Sequence, residues 1–172
     1  MKKLIVMRHG KSSWDYAHLD DHDRPLNERG KKNTAKMGVY LLQKTGKPEL
    51  ILSSSAERAY ATAVIAAENM GYPKEQIVTD KELYLAWVEE ILQCLSKVPN
   101  TVSYCLIVGH NPGLTLLINH FGVALDNLPT ASTACFEFDT QEWKDISPAN
   151  ARFQWLKQAK EIEMRDSGDT RE

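Results

Sequence analysis

Three short segments carry side chains that could bind and transfer a phosphoryl group. The first is Arg8-His9-Gly10, where a cation and an imidazole precede a glycine that lets the backbone approach a ligand closely. The second, residues 53–62, places hydroxyls and Arg58 at the predicted start of a helix, where free N–H groups favour an anion. The third, residues 108–113, ends a predicted strand with His110 before another helix. Taken alone, the first segment could be a surface arginine beside a core histidine. The second could be an N-cap at Ser55 with a solvated Arg58, and the third could be a packed turn.

Together, the three segments supply two arginines and two histidines for one cationic pocket. Arginine presents a planar fork that holds two phosphate oxygens at once, and helix N-termini add oriented N–H donors. The sequence therefore predicts a phosphoryl group as the ligand of this pocket.

The predicted elements bring these segments to one place. Apolar runs and periodicity predict strands at residues 3–8, 49–53, 77–79, 102–109, 134–138 and 151–156, and helices at residues 27–44, 56–70, 86–95 and from Asn111-Pro112 to about 121. Strands that alternate with helices predict a three-layer α/β/α sandwich with a mostly parallel sheet. Ligands bind beyond the carboxyl ends of strands in such sheets, so we expect the three segments to converge there.

The length and composition narrow the class of protein. A chain of 172 residues with 42% apolar and 26% charged residues predicts a single globular domain over residues 1–172, with a polar C-terminal tail from about 157. A formal net charge of −2 means that the chain has no overall positive charge that would favour binding to nucleic acid or an anionic membrane. Three cysteines without C-x-x-C spacing predict reduced thiols. The N-terminal apolar run is too short for a signal peptide or a membrane span, so a cytoplasmic location is expected.

The three segments resemble the histidine phosphatase superfamily, which has the phosphoglycerate-mutase-like fold. Residues 23–30 and 83–86, with the short chain, are more similar to the small bacterial phosphohistidine phosphatases, and the resemblance covers about residues 1–140. It implies that His9 is the nucleophile that takes the phosphoryl group. The residues expected to bind phosphate are Arg8, Gly10, Ser54, Arg58 and His110.

The general acid is less clearly indicated. Many members of the superfamily carry an acidic residue near the position of Glu82, and Glu82 is the candidate here, although the short phosphohistidine phosphatases generally lack a clear acid there. Asp80, Glu82 and Glu89 could equally be solvated charges. Asp15 stands where mutase-like relatives carry a phosphate-binding asparagine, and a carboxylate repels phosphate. We therefore expect Asp15 to pair with a basic residue or to lie outside the pocket.

Two further features have alternative interpretations. The run Asp20-Asp21-His22-Asp23 contains metal-ligand types, but such loop residues usually face solvent and the resemblance implies chemistry without a metal or cofactor. Trp14, Tyr84 and Trp87 either line a substrate mouth or belong to the core.

The predicted function is a metal-independent phosphatase with a phosphohistidine intermediate on His9 and a phosphohistidine-bearing protein as substrate. Only 51 residues separate Arg58 from His110, which leaves little room for a helical insertion over the pocket, so we expect an open site. The alternatives are a phosphatase of small phosphate esters and a non-catalytic phosphate-binding adaptor. An adaptor would need the arginines but not a nucleophile, which disfavours it.

Overall fold

The structure is a computed structural model that describes residues 1–163. Its strands are β1 (Lys2–Arg8), β2 (Leu50–Ser54), β3 (Val78–Asp80), β4 (Tyr104–Gly109), β5 (Thr133–Phe138) and β6 (Ala151–Lys157). Its α-helices are α1 (Glu28–Thr45), α2 (Glu57–Met70), α3 (Val88–Ser96) and α4 (Gly113–His120). All of them were predicted from the sequence, with bounds that differ by no more than two residues.

The six strands form one sheet in the order β3-β2-β4-β1-β5-β6. The first four are parallel, β5 pairs antiparallel with β1, and β6 pairs antiparallel with β5. Because β5 runs opposite to β1, the loop between α4 and β5 must return to the carboxyl end of β1. There the N–H of Ala131 donates to the carbonyl of Arg8 at 3.1 Å. The sheet is mostly parallel, as predicted.

Two hydrophobic cores lie on opposite faces of the sheet. Leu4 and Val6 of β1 pack in the core that contains the inward faces of α3 and α4. Ile5 and Met7 alternate with them and pack in the core under α1 and α2. This alternation is that of a central strand covered on both faces, and the three-layer α/β/α sandwich is confirmed.

Other features of the described chain bear on the sequence expectations. Cys94, Cys105 and Cys135 are free and buried, as expected. Among residues 1–163, no helix has the length and apolar character needed to cross a membrane. Lys157 ends β6, and the short turn Ala159–Glu161 that follows packs Ala159 into the core. The rest of the predicted tail, residues 164–172, lies outside the described residues.

Candidate active site

The structure brings the three segments to one cavity at the carboxyl edge of the parallel strands. His9 follows β1, Arg58 lies in the first turn of α2, and His110 follows β4. The cavity, called the main cavity below, has a volume of about 310 Å³. Its lining residues are Arg8, His9, Lys11, Ser12, Trp14, Arg24, Arg58, Leu85, His110, Asn111 and Thr130.

His9 is held as a neutral imidazole with a defined tautomer. Its Nδ1 lies 2.6 Å from the carbonyl oxygen of Gly10. A carbonyl oxygen only accepts, so Nδ1 carries the proton and Nε2 carries the lone pair. Burial lowers the pKa of His9 to about 4, because it outweighs the hydrogen bond to Gly10, which raises the pKa, and the nearby Arg58 and Arg8 lower it further. The ring is therefore neutral at physiological pH, as a nitrogen nucleophile must be.

His110 faces His9 across the cavity, with ring centroids 5.2 Å apart. Its Nε2 lies 2.8 Å from Oγ of Ser54, and that hydroxyl accepts from the N–H of Ala56 at 3.2 Å. A serine hydroxyl donates one hydrogen bond and accepts two, so this contact holds the His110 ring in place in either neutral tautomer. Burial, followed by the nearby His9, lowers the pKa of His110 to about 3.

Three buried nitrogens that belong to lining residues of this cavity lack a hydrogen-bond partner. Within residues 1–163, the buried side-chain nitrogens and oxygens with no hydrogen bond are Nε of Arg8, Nε of Arg58 and Nδ1 of His110. Leaving a buried donor unpaired costs about 1 to 3 kcal/mol. Two arginine N–H donors and a histidine nitrogen left unpaired beside one cavity fit a ligand that brings several acceptor oxygens and negative charge. Burial also lowers the pKa of the Arg8 guanidinium. Repulsion from the nearby Arg58 cation lowers it further.

The two arginines are fixed by their other nitrogens. Arg8 donates from Nη1 to the carbonyl of Leu128 at 3.0 Å. Arg58 donates from Nη1 to the carbonyl of Asp21 at 2.7 Å and from Nη2 to its Oδ2 at 3.0 Å. Both guanidinium groups are thus oriented before any ligand arrives, which lowers the entropic cost of binding one.

Asp21 is a connecting residue that the sequence analysis missed. Besides Arg58, its carboxylate accepts from Nε of Arg24 at 3.1 Å and from the hydroxyl of Tyr84 at 2.5 Å. The bond from Tyr84, together with both arginines, lowers the pKa of Asp21 to about 2. The run of residues 20–23 had been considered as a metal site or a solvated loop. Instead, one of its carboxylates holds the cations of the main cavity.

Arg24 is a third arginine of the cavity and was also missed. It is buried, donates from Nη1 to Oγ of Ser12 at 2.7 Å, and stacks over the ring of Trp14 with its Cζ 3.5 Å from the centroid. Trp14 is 75% exposed, so it lies at the mouth of the cavity and not in the core. Residues 23–30 contributed to the family resemblance, but nothing local in that segment indicated that Arg24 would reach the cavity.

Two of the expected phosphate-binding residues lie behind the cavity wall. The N–H of Gly10 donates to Oγ1 of Thr62 at 2.9 Å, so it is not free for a ligand. A Cβ on Gly10 would lie 2.8 Å from the carbonyl oxygen of Gly30, which explains the glycine by close packing. Ser54 is fully buried and contacts His110. Both residues position the histidines and are not among the lining residues.

The carboxylates considered in the sequence lie elsewhere. Glu82 is exposed on the short turn Lys81–Leu83 and does not line the main cavity. Asp15 is exposed and outside the cavity lining, which is one of the two expectations stated for it. Among residues 1–163, no three His, Cys, Asp or Glu side chains are grouped in a way that could hold a metal ion.

Comparisons with known proteins agree with this geometry. Residues 4–84, which include Arg8, His9 and Arg58, match the family model of the histidine phosphatase superfamily (branch 1). A chloroplastic Arabidopsis thaliana protein of uncharacterised function is 29% identical over 152 residues, covering 84% of this chain and 70% of the relative.

Solved structures share the fold over nearly the whole chain. The protein histidine phosphatase SixA complexed with tungstate has a TM-score of 0.79 at 23% identity, covering 92% of this chain and 98% of the other. A Nakamurella multipartitia protein assigned as the phosphohistidine phosphatase SixA has a TM-score of 0.80 at 23% identity, covering 91% and 95%. The phosphoglycerate-mutase-like fold expected from the sequence is confirmed.

Proposed function

We propose that this chain, which belongs to the histidine phosphatase superfamily, is a metal-independent phosphatase that acts through a phosphohistidine intermediate on His9. The proposed substrate is phosphohistidine on a protein. A cytoplasmic location and a single domain over residues 1–172 remain part of the proposal.

The observation that carries the proposal is the set of unpaired buried nitrogens around a neutral imidazole. Nε of Arg8, Nε of Arg58 and Nδ1 of His110 are buried without partners, and His9 lines the same cavity with its lone pair on Nε2. A phosphoryl group would supply acceptor oxygens to both arginine donors, and to Nδ1 of His110 in its Nδ1-protonated tautomer, while its phosphorus faces the nucleophile. Charge that spreads over those oxygens in the transition state is stabilised by the same donors.

The proposed reaction has two balanced steps. In the first, Nε2 of His9 forms a bond to phosphorus, and the substrate ring, protonated on its distal nitrogen by water, leaves as neutral imidazole. The carbonyl of Gly10 continues to accept the Nδ1 proton, which stabilises the positive charge of the phosphorylated His9 ring. In the second step, water attacks phosphorus, the electron pair of the P–N bond returns to Nε2, and the proton given up by the attacking water neutralises the hydroxide left when water protonated the substrate ring. Phosphate is released and His9 is neutral again.

The carboxylate-free lining favours phosphohistidine over an alkyl phosphate as substrate. No aspartate or glutamate is among the residues of the described chain that line the main cavity. An alkyl phosphate expels a strongly basic oxygen, for which a positioned acid is worth roughly 100- to 10,000-fold. An imidazole with an unperturbed pKa of about 6.5 takes its proton from water and needs no such acid. The structural neighbours named as protein histidine phosphatases support the same choice.

The experiment compares kcat/KM for a phosphohistidine protein and an alkyl phosphate, using wild type, Glu82→Gln and His9→Ala. We expect fast turnover of phosphohistidine, slow turnover of the ester, and less than about a tenfold effect of Glu82→Gln, below the general-acid range. His9→Ala should be inactive on both substrates while its circular dichroism is unchanged. Labelled phosphate trapped on the wild type should be acid-labile and base-stable.

Two results would contradict the proposal. Fast ester turnover that collapses in Glu82→Gln would identify a phosphatase of small esters. Tight binding of phosphate without turnover of either substrate would identify an adaptor.

A further inference from the structure

A second cavity adjoins the main cavity and lies outside the proposed catalytic machinery. Its volume is about 230 Å³, and it is called the basic cavity below. Its lining residues are Lys11, Arg29, Asn33, Pro129, Thr130, Ser132, Gln158, Ala159 and Lys160. Lys11 and Thr130 also line the main cavity, so the two cavities share a wall.

The basic cavity concentrates uncompensated positive charge. Lys11, Arg29 and Lys160 are exposed cations, and none of the lining residues is acidic. Within residues 1–163, none of the three cations forms an ion pair. Three like charges on one concave surface repel one another and attract an anion. This local excess is notable in a chain with a formal net charge of −2.

Arg29 occupies a position that does not favour a cation. It lies in the first turn of α1, an 18-residue helix whose N-cap is Asn27. The N-terminal end of a helix carries partial positive charge, so an arginine there does not stabilise the helix. Arg29 therefore has neither an ion pair nor a favourable interaction with the helix dipole.

Specific packing brings the three cations together from distant parts of the chain. The carbonyl of Lys11 accepts from the N–H of Asn27 at 2.9 Å, and a Cβ on Gly30 would lie 2.1 Å from that same carbonyl oxygen. Lys11 is therefore held against the start of α1. On the other side, the N–H of Ala159 donates to Oγ of Ser132 at 3.3 Å, which anchors the turn that carries Lys160.

We propose that the basic cavity binds carboxylates of an acidic segment that lies near the phosphohistidine in the protein substrate. The inference rests on the proposed function, because it assumes that the main cavity receives a side chain of a protein. The shared wall at Lys11 and Thr130 places the acidic segment next to the phosphorylated residue. The site would thus select among phosphohistidine proteins by the charge around the modified residue.

The exposure of the cations in the basic cavity favours binding of a peptide segment over binding of one small anion. In the main cavity, Arg8 and Arg58 are fixed by hydrogen bonds and hold buried unpaired donors. In the basic cavity the cations are exposed, and within residues 1–163 it holds no buried donor without a partner. Exposed cations spread over a wall suit several carboxylates along a chain, each of which makes a weak pair.

The first experiment measures binding and needs no turnover. A fluorescein-labelled tetraglutamate peptide is titrated with wild type, Arg29→Gln/Lys160→Gln and the control Lys47→Gln/Lys74→Gln, which removes two exposed charges elsewhere. We expect the first double variant to bind about three- to tenfold more weakly than the control, in line with losing two exposed ion pairs. The difference should shrink at high salt.

The second experiment uses a phosphohistidine peptide with flanking glutamates and its counterpart with glutamines. Wild type and the control should prefer the acidic peptide by about three- to tenfold in kcat/KM, and Arg29→Gln/Lys160→Gln should lose that preference while keeping its rate on the neutral peptide. If neither peptide is hydrolysed but the binding difference persists, the proposed function fails and the subsite stands.

Two outcomes would overturn the subsite. One is equal binding and equal preference in both double variants. The other is weakened binding of inorganic phosphate in Arg29→Gln/Lys160→Gln with unchanged peptide binding, which would identify a small-anion site.

Discussion

The side chains of the main cavity are set to their proposed roles by burial and by each other. His9 and His110 are buried beside arginines, and desolvation lowers the pKa of His9 to about 4 and that of His110 to about 3. The protonated form of each ring is disfavoured because a buried cation next to Arg58 has lost its hydration and meets a like charge. The low pKa values therefore keep both rings neutral and leave the lone pair on Nε2 of His9 free for nucleophilic attack.

A pH titration followed by NMR tests the lowered pKa values of His9 and His110. As pH falls from 8 to 5, NMR signals of His9 and His110 should keep the chemical shifts of neutral imidazole, because their pKa values lie below that range. His9→Asn should remove one of the two signals and so assign it. Protonation of both rings with midpoints near about 6.5, the unperturbed value, would show that the cavity does not perturb them.

Arg58 provides the second prediction at the residue scale. A lysine keeps the charge but loses the fork that contacts Asp21 with two nitrogens and leaves Nε for the ligand. We expect Arg58→Lys to cost about 2 to 4 kcal/mol of transition-state stabilisation, measured as kcat/KM. The matched control is Arg152→Lys. Arg152 lies on β6, is exposed and pairs with Asp139, so kcat/KM of this variant should be close to that of wild type.

The same assay should be unaffected by EDTA. Loss of activity in EDTA with recovery on adding a divalent ion would contradict the proposal that arginines, and not a metal ion, neutralise the charge of the phosphoryl group.

At the scale of secondary-structure elements, the start of α1 positions the loop that follows His9. α1 begins against the loop that follows His9, and Gly30 makes that contact possible, since a Cβ there would lie 2.1 Å from the carbonyl oxygen of Lys11. The adjoining residues of this loop then reach the main cavity. The start of a helix thus fixes the geometry of a loop in the site.

Gly30→Ala tests this contact. Alanine is the better helix former by about 1 kcal/mol, so propensity alone predicts stabilisation. We expect the opposite, a net loss of about 1 to 3 kcal/mol in the free energy of unfolding, because the backbone oxygen of Lys11 cannot yield. Urea denaturation measures this, and Lys32→Ala on the exposed face of the same helix should change stability by less than about 0.5 kcal/mol. A more stable Gly30→Ala protein would show that the loop adjusts freely.

For the whole molecule, the buried neutral histidines link the site to acid stability. Both have folded-state pKa values below the unfolded value of about 6.5, so the unfolded chain binds more protons between the two values. Their stabilising contribution is complete above about pH 6.5 and is lost as pH falls toward 4. The binding site is thus expected to be a source of acid sensitivity.

Urea denaturation as a function of pH measures that sensitivity. From pH 7 to 4, the free energy of unfolding should fall, with about 3 kcal/mol of the loss due to His9. His9→Asn, which does not titrate, should show a shallower decline than wild type. Identical slopes for the two proteins would mean that His9 has the same pKa in the folded and unfolded states.

The sequence by itself determined the elements and the meeting of the three segments. Continuous apolar runs such as residues 3–8 specify a strand buried on both faces, and three- and four-residue periodicity specifies α1 and α2. Because parallel strands end at one edge, His9 and His110 could be placed together without coordinates. These inferences depend on local patterns and on a general rule of α/β sheets.

Only the tertiary structure decided how each side chain is used. Asp21 and Arg58 are joined by an ion pair across 37 positions of sequence, and the basic cavity combines residues 11, 29 and 160. The tertiary structure also shows that Arg24 lines the main cavity, whereas Ser54 lies behind its wall. Glu82 lies outside that cavity. Local patterns specify which face of an element is buried, but side-chain contacts between distant segments depend on how loops pack, and no short-range periodicity records that packing.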